Sequence, residues 1–417
     1  MPTENVLQGR KILLGVTGGI AAYKAADLAR RLGREGAEIR VILTPGGARF
    51  VAPLTFQALT GNPVSTDLFD PGHEHAIGHI GLADWADLFL IAPATANVIA
   101  RLAVGMADDL LTTVALATRA PLLLAPAMNV HMFQHATVQR NIRELRNNGT
   151  HIVDPAEGEM ACGHVGEGRL AEIEDILDGA ARALSAQDFS GVSLLVTAGP
   201  TEEPIDPVRV ISNRSSGKMG FALARAAWRR GAEVTLVSGP VDAGLRAPRG
   251  VTQKRVETAR EMSAAVMEHY PKASIVIMAA AVADWTPESV SSLKIKKGEE
   301  ALRLELAPTR DILSQLGRAK GDRILVGFAA ETDRVIENAR AKLAKKNLDF
   351  IVANDVTAEG AGFGVETNRI TILDREGAEE ALPLLSKGAA ADAILDRLAA
   401  RLAAPRSSDT PADPRGS

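Results

Sequence analysis

The chain has 417 residues, 46% of them hydrophobic and 24% charged, with a net charge of -4. At about 100–200 residues per domain, this length predicts two or three domains. The near-balance of charge excludes a general nucleic-acid binder, and a single cysteine, Cys162, excludes an intramolecular disulfide framework. The longest apolar runs, 88–96 and 274–283, are about half of a membrane span, and MPTENVLQGRK at the start has no apolar signal region. A cytoplasmic protein that binds neither membrane nor nucleic acid is expected.

Strand and helix patterns alternate along the chain. KILLGV (11–16) is a short apolar run ending at Thr17-Gly18-Gly19, and a helical pattern follows from Ala21 to Arg34, closing at Gly36. IRVIL (39–43), Leu88–Ile91 and Leu122–Ala125 are the next strands. Short apolar runs separated by helices predict a parallel sheet covered on both faces. The pattern restarts at SLLVT (193–197), with a helix from about Gly217 to Arg230 and a strand at Val234–Val237. REGAEIRVIL and RRGAEVTLVS look like the same element, as do DLFLIAPATAN and SIVIMAAAVAD. The reading is α/β, with two doubly wound, Rossmann-like parallel-sheet domains at 1–189 and 190–403 and a disordered tail over 404–417.

Ligands of such sheets bind beyond the carboxyl ends of the strands, so the strand exits hold the candidate residues. In the first half, Gly18, Gly19 and Ile20 open a helix where backbone N–H groups can approach a phosphate. The stretch is not GxGxxG, which argues against a nicotinamide enzyme; a ligand-free βα turn is the plainer alternative. Thr95 and Asn97 follow the third strand as hydrogen-bonding groups or helix caps. Asn129, in PAMN, is a carboxylate or amide ligand or a turn residue. Cys162 sits on a glycine-rich flap suited to placing an acid or nucleophile over a ligand. His73, His75 and His79 cluster without a complete metal set.

TGGIAAYK, HIGLADWADLFLIAPATAN, GMADDLL, PAMNVHM and ACGHVGEGR occur in this order over about residues 8–180. Together they resemble the flavin-dependent cysteine decarboxylases, in particular the phosphopantothenoylcysteine decarboxylases. The resemblance implies a flavodoxin-like first domain with FMN held by Gly18, Gly19, Ile20, Thr44, Thr95 and Asn97. It implies a catalytic histidine at His79, a substrate-carboxylate ligand at Asn129 and a proton donor at Cys162. The flavin would oxidise the substrate thiol toward a thioaldehyde, carbon dioxide would leave, and the electrons would return with a proton from Cys162. Phe133 and Leu170 stand where the family usually has Trp and Met.

In the second half, GPTEEPIDPVRVISNRSSGKMG (199–220) places Asn213, two serines and Gly217-Lys218 before a helix. That is an anion site or a well-capped helix, and it is not a Walker A loop. Ala279, Ala280 and Asp284 follow an apolar strand; Lys294, Lys296 and Lys297 form a basic cluster; Lys342 and Lys346 lie four apart. This set resembles the phosphopantothenate–cysteine ligases over about 191–402. The order, decarboxylase then ligase, matches the fused bacterial bifunctional enzymes of coenzyme A biosynthesis.

The ligase resemblance implies CTP as co-substrate, a divalent cation, normally magnesium, and an acyl-cytidylate that cysteine then captures. Arg209 and Asn213 would hold the acyl intermediate, and Lys294 would serve the second half-reaction. CTP contacts would fall on Met278, Ala279, Ala280, Asp284, Lys294, Thr309, Arg310, Asp311, Ile312, Phe328, Lys342 and Lys346. Asp284 is the expected metal residue. Thr309-Arg310 replaces the family's usual Asn-Pro. The resemblance also implies a homo-oligomer: trimers of the flavin half, which can build dodecamers, and dimers of the ligase half. A non-catalytic binding subunit is the alternative; the intact His79, Asn129 and Cys162 speak against it.

Overall fold

The computed structural model describes residues 5–69, 78–159, 163–297, 301–331, 333–355, 362 and 364–403. The expectations for His73, His75, Cys162 and the tail over 404–417 lie outside them. The chain divides into two compact units, one spanning Asn5–Ser185 and the other beginning at Ala186.

In the first unit, strands β1 (Lys11–Val16), β2 (Glu38–Leu43), β3 (Val64–Ser65), β4 (Leu88–Ala94), β5 (Leu122–Pro126) and β6 (His151–Ile152) form one sheet. Its order is β3-β2-β1-β4-β5-β6, and every pairing is parallel. Apart from the two-residue edge strand β3, this is the flavodoxin order, with the crossover reversing between β1 and β4. All seven residues of β4 are buried, as a strand covered on both faces requires.

The helix Ala22–Arg34 buries Ala22, Ala25, Leu28, Ala29 and Leu32, the spacing of one helix face. It packs on one side of the sheet with Ile176, Ala180 and Ala181 of the helix Ile173–Leu184. The other side is closed by Val98, Ile99, Leu110, Leu111, Val114, Ile142 and Leu145. A hairpin of β7 (Ala156–Glu159) and β8 (Val165–Arg169) flanks the expected flap.

Edge strand β6 carries a titratable group. Burial pushes the His151 imidazole below its usual pKa, and the Arg182 charge adds to this. The unfolded chain therefore binds the proton more readily than the folded one. Stability rises with pH through the window between the folded value and the ordinary value of about 6.5, and it is lost as pH falls below that ordinary value. Thermal unfolding of the first unit followed between about pH 5 and 7.5 should show this slope, and His151→Asn should flatten it.

The second unit has strands β9 (Ser193–Ala198), β10 (Glu202–Asp206), β11 (Arg209–Ser212), β12 (Glu233–Ser238), β13 (Thr252–Arg255) and β14 (Ile275–Met278). These are followed by β15 (Trp285–Pro287), β16 (Leu306–Pro308), β17 (Ile324–Glu331) and β18 (Phe350–Asp355). The last four are β19 (Thr367–Asn368), β20 (Ile370–Asp374), β21 (Glu379–Ala381) and β22 (Leu385–Ser386). The main sheet has the order β13-β12-β9-β14-β17-β18-β20-β21. It is parallel as far as β18, where β20 and then β21 add antiparallel. The parallel reading thus describes six of the eight strands; the short return from β20 to β21 needs no crossover helix.

Two hairpins, β10–β11 and β15–β16, leave the sheet just after the exits of β9 and β14. The sheet's two sides are closed by separate apolar clusters, one around Phe221, Leu223 and Leu395, the other around Met262, Leu316 and Leu348.

An ion pair lies inside this unit. Lys320 Nζ donates to Asp349 Oδ1 at 2.6 Å, with both side chains under a tenth exposed. Asp349 Oδ2 also accepts the Leu325 N–H at 2.8 Å. Removing the carboxylate strands a buried ammonium and a backbone donor. Asp349→Ala should therefore cost about 3–5 kcal/mol. The unfolding midpoint of this half should fall by roughly 6–20 °C, at 2–4 °C per kcal/mol.

Candidate functional site

The first site is built where β1, β2, β4 and β5 end. A cavity of about 1050 Å³ lies there, lined by Gly18, Gly19, Ile20, Thr44, Thr95, Asn97 and Asn129. Thr17, which precedes the glycines, is buried; its hydroxyl donates to Pro93 O at 2.6 Å and accepts the Thr95 N–H at 3.3 Å. This links the β1 exit to the β4 exit. Thr95 occupies the N-cap position of the helix Ala96–Ala103, yet its side chain makes no cap hydrogen bond. Thr44 donates to Val16 O at 3.2 Å and accepts the Gly47 N–H at 3.1 Å, fixing the β2 exit against β1.

Gly18 must be glycine. A Cβ there would come within 2.8 Å of the Gly46 backbone, with no flexible side chain to give way. The two loops can therefore lie face to face as a floor of bare backbone. The helix Ala22–Arg34 starts beside them with no side-chain cap and no acidic residue in its first turn, so its positive end is available to an anion.

The opposite wall carries Asn129. Its Oδ1 accepts the His131 N–H at 2.9 Å, which turns Nδ2 toward His164 Nδ1, 3.0 Å away. The rings of His131 and His164 meet edge to face at 5.0 Å. His79 is the second residue of the helix Gly78–Trp85 and is not among the residues lining this cavity. Sequence reasoning missed Gly46 and Arg101 of the lining. A Gly-Gly pair after Pro45 at the second strand exit was the available signal for the first. Arg101 gave none, because an arginine on a helix is ordinary. Its guanidinium binds Asp108 and reaches Asp109 at 2.9 Å, while its Nε is buried with no partner among the described residues.

The second site surrounds the exits of β9, β14 and β17. The Ala279–Asp284 segment is pinned to the Gly199–Thr201 segment by reciprocal backbone contacts. Ala281 N donates to Gly199 O at 2.9 Å, and Thr201 N donates to Ala281 O at 3.3 Å. Thr201 Oγ1 accepts the Ala283 N–H at 2.9 Å, and Thr197 Oγ1 accepts the Ala280 N–H at 3.1 Å. Asn213 joins this knot by donating from Nδ2 to Ala281 O at 3.0 Å.

Thr309 docks on the same segment, donating from its hydroxyl to Ala283 O at 2.6 Å and from its N–H to Asp284 O at 2.9 Å. Asp311 caps the helix Ile312–Arg318 and accepts from Lys346 Nζ at 2.9 Å. Burial pushes the Asp311 carboxyl upward, but hydrogen bonds from Ser314 and Lys346 outweigh it and hold it below the usual range. Asn213, Ala280, Thr309, Asp311 and Lys346 are thus linked through neighbouring bonds. Met278 ends β14 and Phe328 lies on β17. Lys342 is on the helix Val335–Lys345 and Ile312 opens the helix after Asp311. Asp284, Lys294 and Arg310 are exposed. No group of three or more His, Cys, Asp or Glu able to hold a metal occurs among the described residues.

A second cavity of about 1160 Å³ adjoins Asn213 and runs past Ser215, Ser216 and Lys218, with Glu366 and Lys387 on its far wall. Gly217, at the N-cap of the helix Lys218–Arg229, has φ 77°, and a Cβ there would strike Val241 at 2.6 Å. Asn213, expected to hold the acyl intermediate, lines this cavity, whereas all the expected nucleotide residues lie outside its lining. Lys387 was not anticipated: buried, it donates to Val365 O and Thr367 O at 2.6 and 3.1 Å.

Two family models cover the chain. One, described as "Flavoprotein", matches residues 1–185; the other, "DNA/pantothenate metabolism flavoprotein C-terminal domain", matches 189–402. The class is therefore a flavoprotein joined to a pantothenate-metabolism domain. The coenzyme A biosynthesis bifunctional protein CoaBC of Bacillus subtilis is 50% identical over 399 residues, 95% of this chain and 98% of the relative. That of Escherichia coli K12 is 47% identical over 401 residues, again 95% and 98%. The chain belongs to this family of bifunctional coenzyme A biosynthesis proteins. A crystal structure of the C-terminal domain of a CoaBC protein is 43% identical, covering 52% of this chain and 98% of that one, with a TM-score of 0.45.

Proposed function

We propose that the chain makes 4′-phosphopantetheine from 4′-phosphopantothenate and cysteine in two steps, one on each unit. In the second unit the substrate carboxylate attacks the α-phosphorus of CTP and pyrophosphate leaves. The cysteine amine then attacks the acyl carbon; the C–N bond forms, CMP leaves, and the amine releases a proton. In the first unit 4′-phosphopantothenoylcysteine loses carbon dioxide with FMN as cofactor.

The observation that carries the reading is the first cavity, whose lining unites all six residues assigned to FMN with Asn129. The residues present fit that group. The bare backbone at Gly18 and Gly46 and the uncapped helix suit its phosphate, and the Arg101 Nε is a buried donor in want of an acceptor. FMN when bound supplies a reversible two-electron sink for the substrate's thiol-bearing carbon. Asn129 orients the substrate carboxylate for departure, and Cys162 returns a proton. His79 acts from the helix Gly78–Trp85 across a contact between copies. A homotrimer of this half fits the exposure of Phe50, Leu54 and Leu116. A dimer of the ligase half and dodecameric assembly complete this reading.

In the second unit Met278, Ala279, Ala280 and Phe328 border the base and ribose of CTP. Lys342 and Lys346 offset charge on the phosphates of CTP, and Lys294 stabilises the charge that develops as cysteine displaces CMP. Thr309, Arg310, Asp311 and Ile312 form the facing loop. Asp284, exposed where Thr309 docks on its backbone carbonyl, would give a bound Mg2+ a carboxylate oxygen, and the ion would offset charge on the phosphates. Arg209 and Asn213 hold the acyl intermediate. No helix among the described residues is long and apolar enough to cross a membrane, and the enzyme works in the cytoplasm on small molecules.

Two separate assays test the halves. FMN-loaded protein given 4′-phosphopantothenoylcysteine should release carbon dioxide. Protein given 4′-phosphopantothenate, CTP and Mg2+ without cysteine should release pyrophosphate but no CMP. Failure of either, with folded protein, removes the corresponding half of the reading.

A further inference from the structure

The Asp206 carboxylate has no place in the reaction just described, yet it is among the most completely engaged groups in the second unit. It ends β10 and its side chain is fully buried. Oδ1 accepts the backbone N–H groups of Val208 and Arg209 at 2.8 and 3.0 Å, closing the turn into β11. Oδ2 accepts Arg209 Nη1 at 2.7 Å and the Ile295 N–H at 3.1 Å. Arg209 Nη1 reaches Ile295 as well, donating to its carbonyl at 3.0 Å. Ile295 is thus held at both its N–H and its C=O, by an acid and a base that hold each other. Lys294, the residue before it, is exposed.

We propose that Asp206 is a positioning residue for ligation: it fixes the segment carrying Lys294 to the hairpin carrying Arg209. The proposal rests on the ligase reading for the role of Lys294. A long, exposed lysine on an untethered loop would sample many positions; anchoring the adjacent peptide group removes most of that freedom. The carboxylate is also held in its charged form. Burial acts to raise its pKa, but hydrogen bonds from Val208, Ile295 and Arg209, with the Arg209 charge, bring it below the ordinary value. An amide cannot substitute. Each carboxylate oxygen meets two donors, so Asp206→Asn turns an NH2 group against one pair of them.

Asp206→Asn and Ile295→Pro test the tie from its two ends, the second deleting the N–H that Oδ2 accepts while also fixing φ at 295 and restricting the backbone of Lys294. In both variants capture of the acyl-cytidylate by cysteine should slow by about 10–100-fold. Pyrophosphate release before that capture should stay within about threefold of wild type. Amide hydrogen exchange across 293–297 should rise in both. That readout needs no turnover, so it separates failure of the tie from failure of the ligase reading. Should Asp206→Asn not fold, Ile295→Pro alone decides. Equal slowing of both half-reactions, or unchanged exchange and unchanged capture, overturns the proposal.

Discussion

Gly18→Ala protein is expected to purify without flavin and to lose decarboxylation while ligating cysteine at the wild-type rate. The cause is steric. The new Cβ would sit 2.8–3.0 Å from Gly46 C, Cα and O, all backbone atoms, and the Gly46 loop is itself tied to β1 through Thr44. Overpacking of this kind costs about 1–3 kcal/mol where the surroundings can shift. Here the shift opens the floor against which the phosphate would lie. FMN affinity should fall by roughly 10–100-fold. Titration of the apoprotein with FMN, followed by flavin absorbance, checks this, and retained ligation shows that the rest of the chain is intact.

Asn213→Asp should be far worse for ligation than Asn213→Ala. Alanine removes one donor, the 3.0 Å bond to Ala281 O, a loss worth about tenfold. Aspartate turns that contact into a repulsion between oxygens and adds a negative charge where a carboxylate and a triphosphate must meet. At about 4 Å and an effective dielectric of about 20, one such charge pair opposes binding by roughly 4 kcal/mol. That is about 10³-fold in rate. Steady-state ligation of both variants gives the ratio; equal effects would mean that Asn213 does not face the reacting anions.

Much of this was legible in the sequence because parallel strands announce themselves. KILLGV coincides with β1, and five of its six residues are buried. The Gly18-Gly19 exit followed from the same pattern. What escaped notice lacks periodicity. EEPID and RVIS form β10 and β11 without a continuous apolar face, since the turn between them is held by the Asp206 carboxylate rather than by packing. In DPVR an aspartate looks like an ordinary turn residue, and nothing local shows that it reaches Ile295, 89 positions away. His164 was hidden for the same reason: its partner Asn129 lies 35 residues earlier. The His79 position could be read, but not its separation from the cavity lining, because a motif gives a residue's place in the chain and not which cavity it reaches.

The most direct test is one incubation of the purified, FMN-loaded protein with 4′-phosphopantothenate, cysteine, CTP and Mg2+, followed by mass spectrometry. The expected product is 4′-phosphopantetheine, with one CMP and one pyrophosphate for each molecule formed. Folded, flavin-loaded protein that leaves 4′-phosphopantothenate and CTP unconsumed would contradict it.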